Sequence, residues 1–267
     1  MRPESPSDPE RKYLDLNGVR VAYTDVGTGP VVVGLHGCPG SVMDWRWLGV
    51  GLEPHFRLIR VDLPGFGETP TRAGRDVSMA GRAQWVLSFL DALGIDAFVA
   101  LGHSAGGLVA LELGAHHPER ARAVALIASP GARAHRPVRE YPAAKPFSVA
   151  LRIPILSQLL TILVRRGFEH SGFPKGLPGE AIRQSMHVVA EMDFDRQAEN
   201  IENLTVPTLV AWAKDDVFID LDISEDLAAA CPEGPRLEFS EGGHYIQKTQ
   251  SVEIAEVMVT WVDGLPA

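Results

Sequence analysis

Long apolar runs are missing from this 267-residue chain: no uninterrupted stretch reaches the length that crosses a bilayer, so no transmembrane segment is expected. Basic charge is in short supply as well. With 25 Lys and Arg against 34 Asp and Glu, the formal net charge is -9, which argues against a phosphate-backbone partner and sets nucleic acid aside. Cysteine is nearly absent. Cys38 and Cys231 stand far apart, which is no disulfide framework and fits a reducing compartment. The first ten residues are polar and proline-rich, without the apolar region of a secretory signal, and the expected location is cytoplasmic. Internal repeats and low-complexity tracts are lacking too.

What is present is a strong core-forming pattern. The chain is 45% hydrophobic, and its length suits one α/β body with an excursion better than two domains. Tyr13 to Leu16 and Val19 to Thr24 are β-rich and separated by Asn17-Gly18, the signal of a two-residue hairpin turn. Pro30 to Leu35 is continuously apolar, as expected of a strand buried on both faces, and it leads into His36-Gly37-Cys38-Pro39-Gly40. Phe56 to Asp62 reads as a strand, and Ser78 is placed to cap a helix running to about Leu93. Ala97 to Leu101 is a further strand and Ala121 to Ala128 another, with a helix between them that stops before Pro118. Such β-loop-α repetition predicts parallel strands joined by right-handed crossovers, with helices on both faces.

From about Ala132 to Asn200 the rhythm changes to scattered prolines and helical spacing at Ile155, Leu156, Leu159, Leu160, Ile162 and Leu163. Packing of this face between the excursion and the body is the first expectation. Pocket lining, a homodimer contact or a membrane-surface contact are its other uses. Alternation resumes at Val206 to Trp212, followed by a helix near Leu221 to Ala230, a strand near Arg236 to Phe239 and a last helix from about Val252 to Val262.

The most informative stretch is Gly102-His103-Ser104-Ala105-Gly106, a Gly-x-Ser-x-Gly between a strand and a helix. So sharp a reversal leaves no space for side chains at the glycines and holds Ser104 in a strained turn with its hydroxyl exposed. With His36-Gly37-Cys38-Pro39-Gly40, Asp62-Leu63-Pro64-Gly65-Phe66-Gly67, and Asp215-Asp216 with Gly242-Gly243-His244, it resembles the α/β-hydrolase fold family over nearly the whole body.

That resemblance implies a mostly parallel eight-stranded sheet with helices on both faces and a helical lid after the sixth strand. Residues 1–131 and 201–267 would form the core and 132–200 the lid. It also implies the chain order nucleophile, acid, histidine, matched by Ser104, Asp216 and His244. Asp215 is the adjacent alternative for the acid. The family's spacing of three residues after a small residue, here Ala213, favours Asp216, although Val217 stands where the family usually has proline. The backbone N–H groups of Cys38 and Ala105 are assigned to the oxyanion hole, with the Cys38 thiol left to pack. His36 and His103 are expected to serve structure, and His116 and His117 are neighbours that share no helix face, so no metal pair is expected there.

The His36-Gly37-Cys38-Pro39-Gly40 and Asp62-Leu63-Pro64-Gly65-Phe66-Gly67 motifs are also similar to those of epoxide hydrolases and haloalkane dehalogenases, which use an aspartate at the elbow. A serine there would form an ether that water does not readily cleave, so acyl transfer is the expected chemistry. The implied activity is hydrolysis of small or medium apolar carboxylic esters through an acyl-enzyme, with no cofactor and no metal. A carbon–carbon, amide or lactone hydrolase with the same triad is the alternative, and a ligand-binding receptor on the same fold is the alternative of another class.

Overall fold

A computed structural model describes residues 6–74, 76–140, 144–151, 153–170 and 175–265. The first strand, β1 (Lys12–Leu16), turns at Asn17-Gly18 into β2 (Val19–Val26), with Leu16 paired to Val19. Both turn residues have positive φ, 55° and 78°, the backbone a type I′ hairpin turn demands and the reason Asn-Gly marks it. Strand β3 (Val31–Leu35), helix α1 (Arg46–Leu52), strand β4 (Arg57–Val61) and helix α2 (Met79–Ala92) follow. As expected, Ser78 caps α2, its hydroxyl accepting from the Gly81 N–H at 3.0 Å. Next come β5 (Phe98–His103), α3 (Ala105–His116) and β6 (Ala121–Ile127).

Five helices then intervene: α4 (Arg136–Glu140), α5 (Ala144–Ala150), α6 (Pro154–His170), α7 (Gly179–Ala190) and α8 (Phe194–Asn203). The chain closes with β7 (Thr208–Ala213), α9 (Leu221–Ala230), β8 (Arg236–Phe239), α10 (Ile246–Thr249) and α11 (Ser251–Asp263). No described helix is long and apolar enough to cross a membrane.

The eight strands form one sheet in the order β1-β2-β4-β3-β5-β6-β7-β8, antiparallel at β1-β2 and β2-β4 and parallel from β4 to β8. Its centre is buried on both sides, which explains the unbroken apolar runs. Because strand side chains alternate, Ala100 faces the cluster of α2 and α3, with Phe89 and Leu108, while Val99 and Leu101 face that of α1 and α11, with Leu52 and Met258.

The helical excursion between β6 and β7 has a small apolar cluster of its own, built from Leu151, Val164, Phe168, Ile182, Met186 and Ala190. The expected packing face of α6 is overturned in part. Leu156, Leu159, Ile162 and Leu163 are 42%, 67%, 55% and 57% exposed, while Val164 and Phe168 point inward. Apolar residues fill too much of the helix circumference for spacing alone to say which stripe turns in. Leu160 is half-buried, and the Ile155 side chain lies outside the described residues, as do residues 1–5. The helical run also reaches Asn203, and α8 rests on α3 through the Arg196–Glu112 ion pair and a His116–Asn200 hydrogen bond of 2.9 Å.

Candidate active site

The site forms where the parallel strands deliver their C-terminal ends. After β5, Ser104 takes φ 53° and ψ -126°, a conformation that costs about 1–3 kcal/mol in a non-glycine residue. Local bonds hold it there: its N–H donates to the Ile127 carbonyl at 3.0 Å, and its carbonyl accepts from the Gly107 N–H at 2.8 Å. A side chain at Gly106 would collide with the Leu35 and His36 carbonyls, and one at Gly102 would collide with the backbone of Gly106 and Gly107. Those two glycines are therefore a packing requirement. Ala105 opens α3, where backbone N–H groups have no helix carbonyl to meet.

Asp216 and His244 come together from the loops after β7 and β8. Asp216 Oδ2 accepts from His244 Nδ1 at 2.8 Å, and Asp216 Oδ1 accepts from the N–H groups of Phe218 at 2.7 Å and Ile219 at 3.0 Å. Burial would push this carboxyl up, but the imidazole and the two backbone donors outweigh it and hold it below the usual carboxylate range. With Nδ1–H directed at the carboxylate, the lone pair of His244 lies on the other ring nitrogen, Nε2.

The neighbouring Asp215 is exposed and accepts from the Gly242 and Gly243 N–H groups at 3.2 and 2.7 Å, so it fastens the histidine loop and does more than form its own turn. This distinguishes the two aspartates by direction. Asp216 meets the imidazole and Asp215 meets only backbone.

His103, next to Ser104, uses Nε2–H to donate to the His244 carbonyl at 2.9 Å, and the two rings lie 4.9 Å apart. Burial pulls the His103 ring down to about 3, so it stays neutral. No hydrogen bond joins Ser104 Oγ to His244 among the described residues; such contacts are often long before substrate binds. His36 donates from Nδ1 to the Gly37 carbonyl at 2.7 Å and accepts at Nε2 from the Leu63 N–H at 3.0 Å. Asp62 ties the next loop by accepting from Val42 and Glu68 N–H groups at 2.7 and 2.8 Å. Both residues of the shared motifs thus have their hydrogen bonds within the loop scaffold.

The loop carrying Cys38 backs onto the serine: a Cβ placed on Gly37 would lie 3.1 Å from Ser104 Cβ. Burial pushes the Cys38 thiol up to about 11, far from a reactive thiolate. Beside the site opens a cleft of about 680 Å³, walled by Pro39 and Gly40, by Gly65 and Thr69, by Leu177 and Ala181, and by Tyr245 and Lys248. Two residues with no sequence motif to announce them also belong to this region. Arg82 and Gln184 are buried in the seam between α2, the loop after β4 and α7. Among the described residues no group of three or more His, Cys, Asp or Glu is arranged to hold a metal ion.

A strained serine at a β5–α3 elbow, beside a buried aspartate–histidine pair, defines a class, and comparison with known proteins agrees. The family model of the α/β hydrolase fold matches residues 30–171, and the chain belongs to this family. It is 30% identical to RutD of Klebsiella pneumoniae (strain 342), a candidate carbamate hydrolase, over 89% of this chain and 92% of that protein. It is 22% identical to bifunctional epoxide hydrolase 2 of Rattus norvegicus over 97% of this chain, which spans 56% of that longer protein. Among solved structures, an esterase from Thermogutta terrifontis superposes with TM-score 0.76 at 20% identity, covering 97% of this chain and all of the other. The enol-lactonase of Burkholderia xenovorans LB400 gives 0.74 at 21% identity, with 94% and 100% covered. The chain is accordingly a hydrolase with a small-molecule substrate.

Proposed function

We propose that this hydrolase cleaves carboxylic esters of small or medium apolar substrates through an acyl-enzyme on Ser104. The observation that carries the reading is the buried Asp216–His244 hydrogen bond beside a serine held at positive φ. Ser104 Oγ attacks the ester carbonyl while His244 takes its proton, and Asp216 stabilises the imidazolium that results. The oxyanion meets the N–H groups of Ala105 and Cys38, which belong to backbone already in place. Its collapse expels the alcohol, protonated by His244; water, deprotonated by the same histidine, then frees the acid. The helices between β6 and β7 act as the lid over this centre.

The epoxide hydrolase relative does not extend its named chemistry to this chain, because attack by serine on an alkyl carbon would leave an ether. The RutD and enol-lactonase similarities favour, as the second reading, an amide-like or lactone bond opened by the same triad. A panel of p-nitrophenyl esters of increasing chain length, with fluorophosphonate labelling of Ser104, tests the proposal. Labelling with turnover is the expected result. Labelling without turnover of any ester moves the reading to the second bond class, and a folded protein that neither labels nor turns over is a binding protein.

A further inference from the structure

Arg82, on the first turn of α2, is 3% exposed and forms no ion pair with a carboxylate among the described residues. Its Nε–H donates to the Val77 carbonyl at 3.2 Å, and its guanidinium carbon lies 5.6 Å from the centre of the Phe66 ring. Its Nη2 is buried with no partner. The one carboxylate whose field reaches it, Asp76, is exposed and already accepts from the Ser78 N–H at 2.9 Å.

Gln184 on α7 repeats the situation. It is 2% exposed, its side chain packs over Gly65 beside Phe66, and its Nε2 is buried without an acceptor. A buried cation with an unused donor is costly unless something compensates it. The Val77 carbonyl, the Phe66 ring and the field of Asp76 do so only in part, and among the described residues nothing meets Nη2 itself.

Both unmet atoms are donors, so the missing complement is an acceptor with negative charge, and a planar carboxylate is the group a guanidinium edge fits. The position is informative as well. Cys38, whose N–H is a proposed oxyanion donor, lies within the field of Arg82 and beside the Ser185 hydroxyl, which itself donates to the Ala181 carbonyl at 2.7 Å. Ala181, Gly65 and Pro39 wall the cleft.

We infer that Arg82 and Gln184 form an anion subsite in the seam between α2 and α7, which selects substrates whose acyl part ends in a carboxylate. The inference rests on the hydrolase reading for the bond that is cleaved and narrows its substrates to esters whose otherwise apolar acyl chain ends in a carboxylate; its ligand chemistry does not depend on that reading. The remote charge would be held by the guanidinium and the carboxamide while the scissile carbonyl lies at Ser104, so the subsite acts on substrate choice and positioning rather than on bond making.

The test compares mono-p-nitrophenyl glutarate with p-nitrophenyl valerate, which replaces the terminal carboxylate by a methyl group. The wild type is expected to prefer the glutarate in kcat/KM. Arg82→Met should lower the glutarate-to-valerate ratio by about ten- to hundredfold through KM, Gln184→Leu by about tenfold, and Arg82→Lys should keep part of the preference. Free glutarate should raise the Tm of the wild type and leave that of Arg82→Met in place.

An unchanged ratio in Arg82→Met, or activity on both esters falling together with Tm, would make Arg82 purely structural and overturn the subsite. If fluorophosphonate fails to label Ser104 while glutarate still raises Tm in an Arg82-dependent way, the subsite stands and the hydrolase reading falls. Labelling with no glutarate effect overturns the subsite alone.

Discussion

The loop cluster at the ends of β5, β7 and β8 and the helical excursion after β6 are built on opposite principles. In the loop cluster, the acid and the motif histidine are held by partners: Asp216 accepts three hydrogen bonds and His36 uses both ring nitrogens, although His103 spends only one of its two. Around the excursion the order is inverted. Four large apolar side chains of α6 face outward, while Gln184 of α7 and Arg82 of the neighbouring α2 are buried with donors unused. The first holds its acid within the chain, as the proposed chemistry requires. The second leaves donors of Arg82 and Gln184 unmet among the described residues, which the inferred anion subsite would use.

The sharpest way to break this contrast is Ser104→Ala, expected to lower kcat/KM by about 10⁴-fold or more while Tm holds, since the hydroxyl bears no part of the fold. Full residual hydrolysis of p-nitrophenyl esters would remove the loop cluster from catalysis. Asp216→Asn should cost about 10⁴-fold, because the amide no longer holds the imidazole in its working tautomer, whereas Asp215→Asn should cost about tenfold or less through a loosened histidine loop. Comparable losses in the two variants would mean that the acid has been assigned to the wrong aspartate.

Stability draws the same line between the regions. Leu101→Ala, in the buried sheet, should cost about 2–5 kcal/mol in denaturant titration, against less than about 0.5 kcal/mol for Leu159→Ala on the outer face of α6. A large loss at Leu159 would mean that this face is covered in solution.

Another small effect lies far from both regions, at the ion pair of Asp25 with Arg57, whose two bonds are 2.9 Å each. The Arg57 hydrogen bonds hold the Asp25 carboxyl below its ordinary value, so the folded pKa is the lower one. The stabilisation is therefore present above the unfolded carboxylate pKa and is lost as pH falls through the folded one. Asp25→Asn should cost under about 1 kcal/mol at neutral pH, given the partial exposure of the pair, and nothing once the wild-type carboxyl is protonated. A cost that persists in acid would assign the effect to packing.

Local chemistry made much of this legible. Asn17-Gly18 can form a two-residue turn because both residues tolerate positive φ, and Gly102 and Gly106 are demanded by backbone contact across the elbow. The strands stood out because burial on both faces leaves apolar runs that solvent-facing segments do not have. The inward stripe of α6 was not legible, since apolar residues on several sides let only the neighbouring helices choose it. Arg82 and Gln184 were missed for a related reason: a polar residue on an amphipathic helix reads as surface until another helix is laid over it.

By itself, then, the order of residues determined the succession of strands and most helices of the sheet body, though not α1, together with the elbow at Ser104 and the candidates for acid and base, because each depends on backbone sterics or on chemical roles that tolerate few residue types. Tertiary structure alone decided which side of α6 meets water and which donors are shut away without acceptors, and it brought Asp216, already favoured by the resemblance, to His244. Those outcomes depend on where distant segments come to rest against one another, and no local preference along the chain encodes that distance.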